Sequence, residues 1–459
     1  MHLALPLSLL CISTPAAANV VGTMFSGATT ADPAAVYWNP AAMTRLKGTW
    51  LQLSGTLSPL RLRYQRNTPS AHDGQPFARA EVTVPAPKLT FDLVTDAMLK
   101  DWRFGLGLAF PMVDGASWDR TYGGRPSSTR YYALQGRQVM FIIGTTAAYR
   151  VNRWLSVGVG LDLVGMWLLH DVMTDWGAKI NQIACGALGG ISCRLDAPLS
   201  REDPQYDGAT RVEGVGVGVG VSGGVLVTLA PWLRLGVGVH SGGGDVKVPS
   251  EISAEVPPAA AHYLHDNFPS IQLPKVDAEA DVVVNTPVIV TAGAAVTPVS
   301  RLELAADFHW THSSAMSVML ASISRTNTAL VGDQVLVKRK EDSYLVALRG
   351  SYRFLDDLTG GLRLELNTNS RPEEFVTPVS LDFDKLSFHL GVSWHITRWL
   401  ALSAEYAHFV IFDRAIERSQ FQPNAFPTTP EEEGLDKPMP TGLYTAQADL
   451  FGLGLTLSY

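Results

Sequence analysis

The sequence predicts a transmembrane antiparallel β-barrel of about fourteen strands, its lumen plugged by a short N-terminal hatch. Three observations carry the barrel. Segment after segment alternates apolar and polar residues with period two. The connections between segments alternate between tight turns and long polar loops. The final segment, Phe451-Gly-Leu453-Gly-Leu455-Thr-Leu457-Ser-Tyr459, keeps alternating up to a terminal aromatic.

The bulk composition narrows the field. A chain of 459 residues with 17% charged residues and a formal net charge of −7 is too apolar for disorder, and its mild acidity excludes nucleic acid as a partner.

Residues 1–18 read as an export signal. Leu3 to Ile12 form a short apolar core, and Pro15-Ala16-Ala17-Ala18 offer small residues for cleavage before Asn19, although no Lys or Arg precedes the core. Residues 19–48 follow as the hatch. Their centre, Trp38-Asn39-Pro40-Ala41-Ala42, has no clean period and is broken by proline, yet it is apolar enough to need burial. Irregular backbone is tolerated inside a lumen because protein, not lipid, surrounds it. There Asn39 would satisfy backbone groups at a turn, Pro40 would fix its direction, and the alanines would pack against lumen glycines.

The barrel occupies residues 49–459. In Val215-Gly-Val-Gly-Val-Gly-Val221 every valine falls on one face; the six glycines and strict alternation of 214–233 argue for a strand and against an apolar helix. Leu155 to Leu163, Leu302 to Trp310, Leu362 to Leu366 and Leu386 to Trp394 repeat the pattern with charged or small residues opposite. Tight links fall at 150–153, 230–232, 297–301, 354–358 and 396–399. Long loops fall at about 58–84, 111–137, 172–210, 250–276, 371–383 and 414–443. That asymmetry suits short periplasmic turns and long outer loops. Trp154, Trp232, Tyr352, Phe354, Trp399 and Tyr459 sit beside the tight turns or at that end, where an aromatic girdle belongs. The last strand must pair with the first to leave no open edge in lipid. Its terminal aromatic resembles the signal read by the bacterial barrel-assembly machinery.

Several chemical-looking signals have plainer readings. Gly218 to Gly223 matches G-x-G-x-x-G but lies within a strand, with no helix N-terminus to hold a pyrophosphate. His262, His265 and Asp266 in one loop read as polar surface rather than a metal site. The lumen-facing Asp162, Arg234, Glu303, Asp307, Arg349, Arg353, Arg363, Glu365 and Glu405 carry both signs and are expected to pair with one another. No nucleophile elbow is visible, so no enzyme, cofactor or metal is expected. Cys185 and Cys193 close a short Gly-rich loop, which in an oxidising compartment suggests a disulfide. The loop 250–276 presents Val256, Tyr263, Leu264, Phe268 and Ile271 outside the membrane. This apolar set reads either as a capture surface for an apolar ligand or as a lid packed on its neighbours.

With signal, hatch and barrel placed, the chain resembles the FadL/TodX-type outer-membrane transporters of long-chain fatty acids and other hydrophobic compounds. Gly27-Ala-Thr-Thr-Ala31-Asp32, followed by Tyr37-Trp38-Asn39-Pro40-Ala41-Ala42-Met43, is similar to the family's hatch with its Asn-Pro-Ala motif. Phe104-Gly-Leu-Gly-Leu-Ala-Phe110-Pro111, with Trp118 beyond, resembles its third strand. Thr145 to Asp162, then Thr286-Pro287 and Asp307 to Thr311, resemble later strands, and Leu381-Asp382-Phe-Asp384-Lys385 resembles a Pro-Asp-x-Asp-Arg element.

The resemblance implies passive uptake across the bacterial outer membrane. Loops would capture the ligand, a hatch centred on Trp38, Asn39, Pro40 and Ala41 would gate it, and a break in the third strand around Gly105, Gly107, Phe110 and Pro111 would let it leave sideways. Asp382, Asp384, Lys385 and Arg363 become candidates for contact with a ligand head group. The implied partners are a hydrophobic small molecule, outer-membrane lipid with lipopolysaccharide, and the assembly machinery during biogenesis; a monomer is expected. A water-filled porin for polar solutes and a non-transporting surface barrel, an adhesin or receptor, are the alternatives.

Overall fold

The computed structural model describes residues 21–181, 199–269, 275–327, 334–337, 339–378, 380–420 and 440–459. Cys185 and Cys193, for which a disulfide is expected, and the loop residue Ile271 lie outside the described residues.

Fourteen antiparallel strands close on themselves. They are β1 (Thr49–Arg66), β2 (Ala80–Thr95), β3 (Trp102–Ser117), β4 (Gln135–Arg150), β5 (Leu155–Asp175) and β6 (Asp207–Ala230). The next four are interrupted: β7 (Leu233–His240, Asp245–Ala254), β8 (Val276–Asn285, Ile289–Val299), β9 (Leu302–Thr311, Val318–Thr326) and β10 (Gln334–Val337, Ser343–Arg353). β11 (Leu358–Asn367), β12 (Lys385–His395), β13 (Leu400–Ile411, with Arg414–Ile416) and β14 (Gly442–Ser458) complete the wall. β14 pairs with β1 from Trp50/Ser458 to Arg66/Gly442, and Thr49 and Tyr459 exchange two backbone hydrogen bonds of 2.7 Å. The first and last strands thus leave no open edge between them.

The polarity is inside out, as a barrel in lipid requires. Val215, Val217, Val219 and Val221 are each more than half exposed on the outer face of β6, while Asp162, Arg234, Asp307, Arg349, Arg363 and Glu365 are buried within. Trp154, Trp232, Tyr352, Phe354, Trp399 and Tyr459 are all exposed around the end that carries the tight turns.

The strands run further than the sequence pattern suggested. β1 continues to Arg66 and β2 begins at Ala80, so the connection between them is 67–79, not 58–84. The reason is a change of phase. Leu51, Leu53 and Leu57 point outward, but from Leu60 onward the apolar residues Leu60, Leu62 and Tyr64 point inward, and Arg61 and Arg63 face out. Above the membrane the barrel is built like a soluble one. Its upper interior is a core of Leu60, Leu62, Tyr64, Trp118, Phe383, Phe409 and Tyr444; each large apolar side chain so buried contributes about 2 kcal/mol.

The segment 250–276 is likewise mostly regular. It finishes β7 at Ala254, forms a helix α2 (Pro258–Asn267), and re-enters β8 at Val276. The connection 312–342, which no tight-link or long-loop pattern marked, carries the second half of β9 and the first of β10.

Candidate functional site

The N-terminal segment fills the lumen. Ala35–Trp38 form one helical turn and Pro40–Arg45 a 3-10 turn, with every residue from Ala35 to Thr44 buried. Asn39 is the hinge between them. Its backbone is extended (φ −167°), its Oδ1 accepts from Ala41 N at 3.1 Å, and Pro40 takes the first 3-10 position, where a missing N–H costs nothing. The Asn39 Nδ2 then donates to Ala28 O at 2.9 Å and to Val225 O on β6 at 3.0 Å. One fully buried amide thus ties the segment to itself and to the wall.

The wall answers from nearly every side. Thr44 Oγ1 donates to Ser156 Oγ at 2.8 Å, His240 Nε2 to Tyr37 O at 2.7 Å, and Thr291 Oγ1 to Trp38 O. Asp307 accepts from Ala28 N at 3.1 Å, Glu405 from Met24 N at 2.6 Å, and Arg363 donates to Ser26 O at 2.8 Å. Arg103 donates to Leu46 O, Arg150 to Thr44 O, and Arg349 to Thr30 Oγ1 at 3.1 Å.

Lumen glycines make the close approach possible. A Cβ on Gly224 would stand 2.1 Å from Asn39 Oδ1, one on Gly238 2.1 Å from Trp38 O, and one on Gly158 2.7 Å from Pro40. The glycines of the 218–223 pattern serve another neighbour: Gly220 faces Gly242 O at the interruption of β7.

A cavity lies beyond the hatch, enclosing about 700 Å³ of empty space, part of it continuous with solvent. Its wall is mixed. Pro111, Met112 and Val113 of β3, Met140, Ile289 and Met316 are apolar; Lys340, Lys385, Asp382, His309 and Ser370 are polar. The His309 ring meets Trp38 edge to face at 5.7 Å, so the hatch forms part of the floor.

The β3 side of this cavity coincides with a seam in the barrel. β2 and β3 pair only from Thr95/Phe104 to Phe91/Leu108. Beyond that point Ala80–Thr90 and Ala109–Ser117 form no mutual ladder, and the β3–β4 register shifts between Ala109 and Met112. Three prolines flank the parting: Pro111 on β3, Pro85 and Pro87 on β2. None offers an amide hydrogen to a ladder.

The sequence candidates therefore divide. Trp38, Asn39, Pro40 and Ala41 are in the lumen. Gly105 and Gly107 lie against Val36 of the hatch, Pro111 lines the cavity, and the Phe110 ring stands 6.2 Å from that of Phe141. Asp382 and Lys385 line the cavity. Asp384 instead accepts from Asn369 N at 2.7 Å in the β11–β12 loop, and Arg363 is engaged by Glu365 and hatch carbonyls. In the outer loop, Leu264 and Ala260 of α2 are buried against Trp176, Ile180 and Leu199, with Val256, Tyr263 and Phe268 packed around them. His262 pairs with Asp266 at 3.3 Å on the exposed side of α2. Pattern reading did not single out Lys340, Pro85 or Pro87. The two prolines were legible, as two amide-less residues in an otherwise regular strand.

The family model described as outer membrane protein transport protein (OMPP1/FadL/TodX) matches residues 10–459. The chain belongs to this family. As a member it is an outer-membrane transport protein, and its barrel has the fold of solved members. A Pseudomonas aeruginosa FadL homologue superposes with a TM-score of 0.74 at 16% identity over 98% of this chain and 99% of that one. The Pseudomonas putida toluene transporter TodX gives 0.64 at 16% over 95% and 98%. The Ralstonia pickettii toluene transporter TbuX gives 0.60 at 16% over 96% and 99%. No curated protein sequence matches.

Proposed function

We propose that this member takes up hydrophobic compounds, long-chain fatty acids or similar molecules, and releases them sideways through the seam between β2 and β3. The observation that carries the reading is the coincidence of that unpaired stretch with the apolar wall of the lumen cavity at Pro111–Val113. An apolar molecule gains from staying in contact with apolar surfaces and loses by crossing a water-filled channel. A side exit delivers it directly to lipid. The occupied lumen supports the same reading against a porin for polar solutes, because the hatch stands across the axial path. The solved toluene transporters of the family agree with it. In this reading the hatch moves to let the ligand pass from the cavity.

The test is to bridge the seam. Ala86→Cys on β2 and Val113→Cys on β3 stand on opposite lips and are joined by a cleavable bifunctional thiol reagent. Uptake of a radiolabelled fatty acid or aromatic hydrocarbon by cells should fall to the level of cells lacking the protein, and recover on cleavage. Undiminished uptake through the bridged protein overturns the side exit. Large, stable open-channel currents from the unmodified protein in planar bilayers overturn the occluded-lumen reading in favour of a porin.

A further inference from the structure

We propose that the outward rim of β1 and β2 is a docking site for a phosphorylated lipid headgroup of the outer leaflet, held by Arg61, Arg63 and Arg79. Because Leu60, Leu62 and Tyr64 are fully buried, Arg61 and Arg63 face away from the lumen. Glu81 on β2 takes both: its Oε1 lies 2.9 Å from Arg61 Nε and its Oε2 2.8 Å from Arg63 Nε. Each guanidinium uses only its Nε on that carboxylate, and the terminal nitrogens make no hydrogen bond among the described residues. Arg79 is exposed, near enough to bear on the Glu81 carboxylate, and in no ion pair among the described residues. Three cations share one carboxylate.

Their height suits a headgroup. From Leu51 to Arg61 is about 33 Å along a strand rising ~3.3 Å per residue, or about 25 Å along the axis at a tilt of ~40°. That is the height of the apolar band of such barrels, so the arginines emerge where acyl chains give way to headgroups. Just below them the outward residues are apolar: Leu57 and Pro59 on β1, Leu89 on β2. One lipid can lay its chains on these and its phosphates against the arginines, whose planar forks suit phosphate oxygens.

Along the outer ends of β4 to β9 the cations are matched. Arg211 pairs with both Asp171 and Glu213, Lys247 with Asp281 and Arg325 with Glu279, and Arg137 lies over the Trp167 ring. Charge complementarity therefore favours β1–β2 for a polyanionic lipid. The site includes the β2 edge that β3 leaves unpaired, so a bound lipid stands beside the outer end of the seam.

Native mass spectrometry of the full-length protein in detergent tests this, with a bisphosphorylated, acylated diglucosamine as the probe. Wild type should retain the lipid. Arg79→Gln, which breaks no ion pair and leaves the fold intact, should weaken binding about fivefold, and the triple Gln variant of Arg61, Arg63 and Arg79 about a hundredfold. Arg211→Gln should leave it unchanged. Heat-modifiable gel migration checks that each variant is folded. Equal retention by wild type, Arg79→Gln and the triple variant overturns the proposal, as does equal retention of the dephosphorylated lipid. Displacement by inorganic phosphate at millimolar concentration also overturns it, by showing a site for the free ion.

Discussion

β5 and β6 pair without interruption from Leu155/Val227 to Asp175/Asp207, twenty-one positions. β2 and β3 hold together for five, from Thr95/Phe104 to Phe91/Leu108, and then part. The two seams belong to one barrel in one lipid environment, so the difference is built into the chain. Between Leu155 and Ala230 the paired strands contain no proline and face each other with valine and glycine. The parted strands place Pro85, Pro87 and Pro111 where a ladder would need donors. An unpaired backbone in lipid is costly unless protein covers it. Here the lumen cavity and the outer core stand behind the gap. The wall is sealed along β5 and β6 and parted at the exit proposed between β2 and β3.

The sharpest way to break this contrast is to unseat the hatch from the sealed side. Gly224→Leu drives a side chain into Asn39, whereas a Cβ on Gly223 next to it meets nothing closer than 3.6 Å, so Gly223→Leu is the control. In planar bilayers the first should convert a closed protein into one with large ion conductance, and the second should stay closed. Asn39→Ala comes next. It strips partners from Ala28 O, Val225 O and Ala41 N, costing about 3 kcal/mol in seating the segment. Hydrogen exchange should show hatch amides exchanging about a hundredfold faster while β5 and β6 amides keep their protection.

A smaller effect is expected from resealing the seam. Pro85→Thr with Pro87→Thr restores two amide donors, each worth about 1 kcal/mol if it finds an acceptor. Amides of 80–90 should become better protected, and uptake should slow several-fold with barrel yield unchanged. The smallest effect concerns the turn that joins the hatch to the paired part of the seam. Asp96, at the end of β2, accepts from Gly48 N at 2.8 Å and Met98 N at 3.0 Å, and these bonds hold its carboxyl below the ordinary 3.8. A depressed folded value means the contribution is complete above about pH 4 and is lost as pH falls through that value. Protection of the Gly48 amide should fade on acidification below pH 4, and Asp96→Asn should abolish that pH dependence.

The fold was legible because lipid imposes a strict period on every membrane-crossing strand and the turns and loops alternate in length. Legibility ended where lipid ends. At Leu60 the apolar face turns inward, and reading the pattern as lipid-facing closed β1 too early. The interruptions of β7 and β8 fall at Gly242-Gly243-Gly244, where Gly242 and Gly244 take positive φ, and at Thr286-Pro287, breakers that the sequence shows but that the period-two reading passed over. The plug was visible in Trp38-Asn39-Pro40 because such residues suit nothing but a buried turn. Arg363 shows the limit of reading charge alone. Its pairing with Glu365 follows from the alternating lumen charges, but its other partners, the carbonyls of Met24 and Ser26, lie more than three hundred residues away and carry no side-chain signal. The apolar residues of α2 illustrate the same limit, since their partners at 176–181 and Leu199 come from a different loop.

Among the described residues, the hatch is hydrogen-bonded to ten of the fourteen strands, from Arg103 on β3 to Glu405 on β13. The bond between Met24 and Glu405 spans 381 positions of sequence. The hatch precedes every strand in the sequence and therefore cannot settle until nearly the last of them is in place, and contacts of such separation form slowly. Maturation of this protein has a built-in order: the cylinder must round up while still hollow, and only then can it be corked from within.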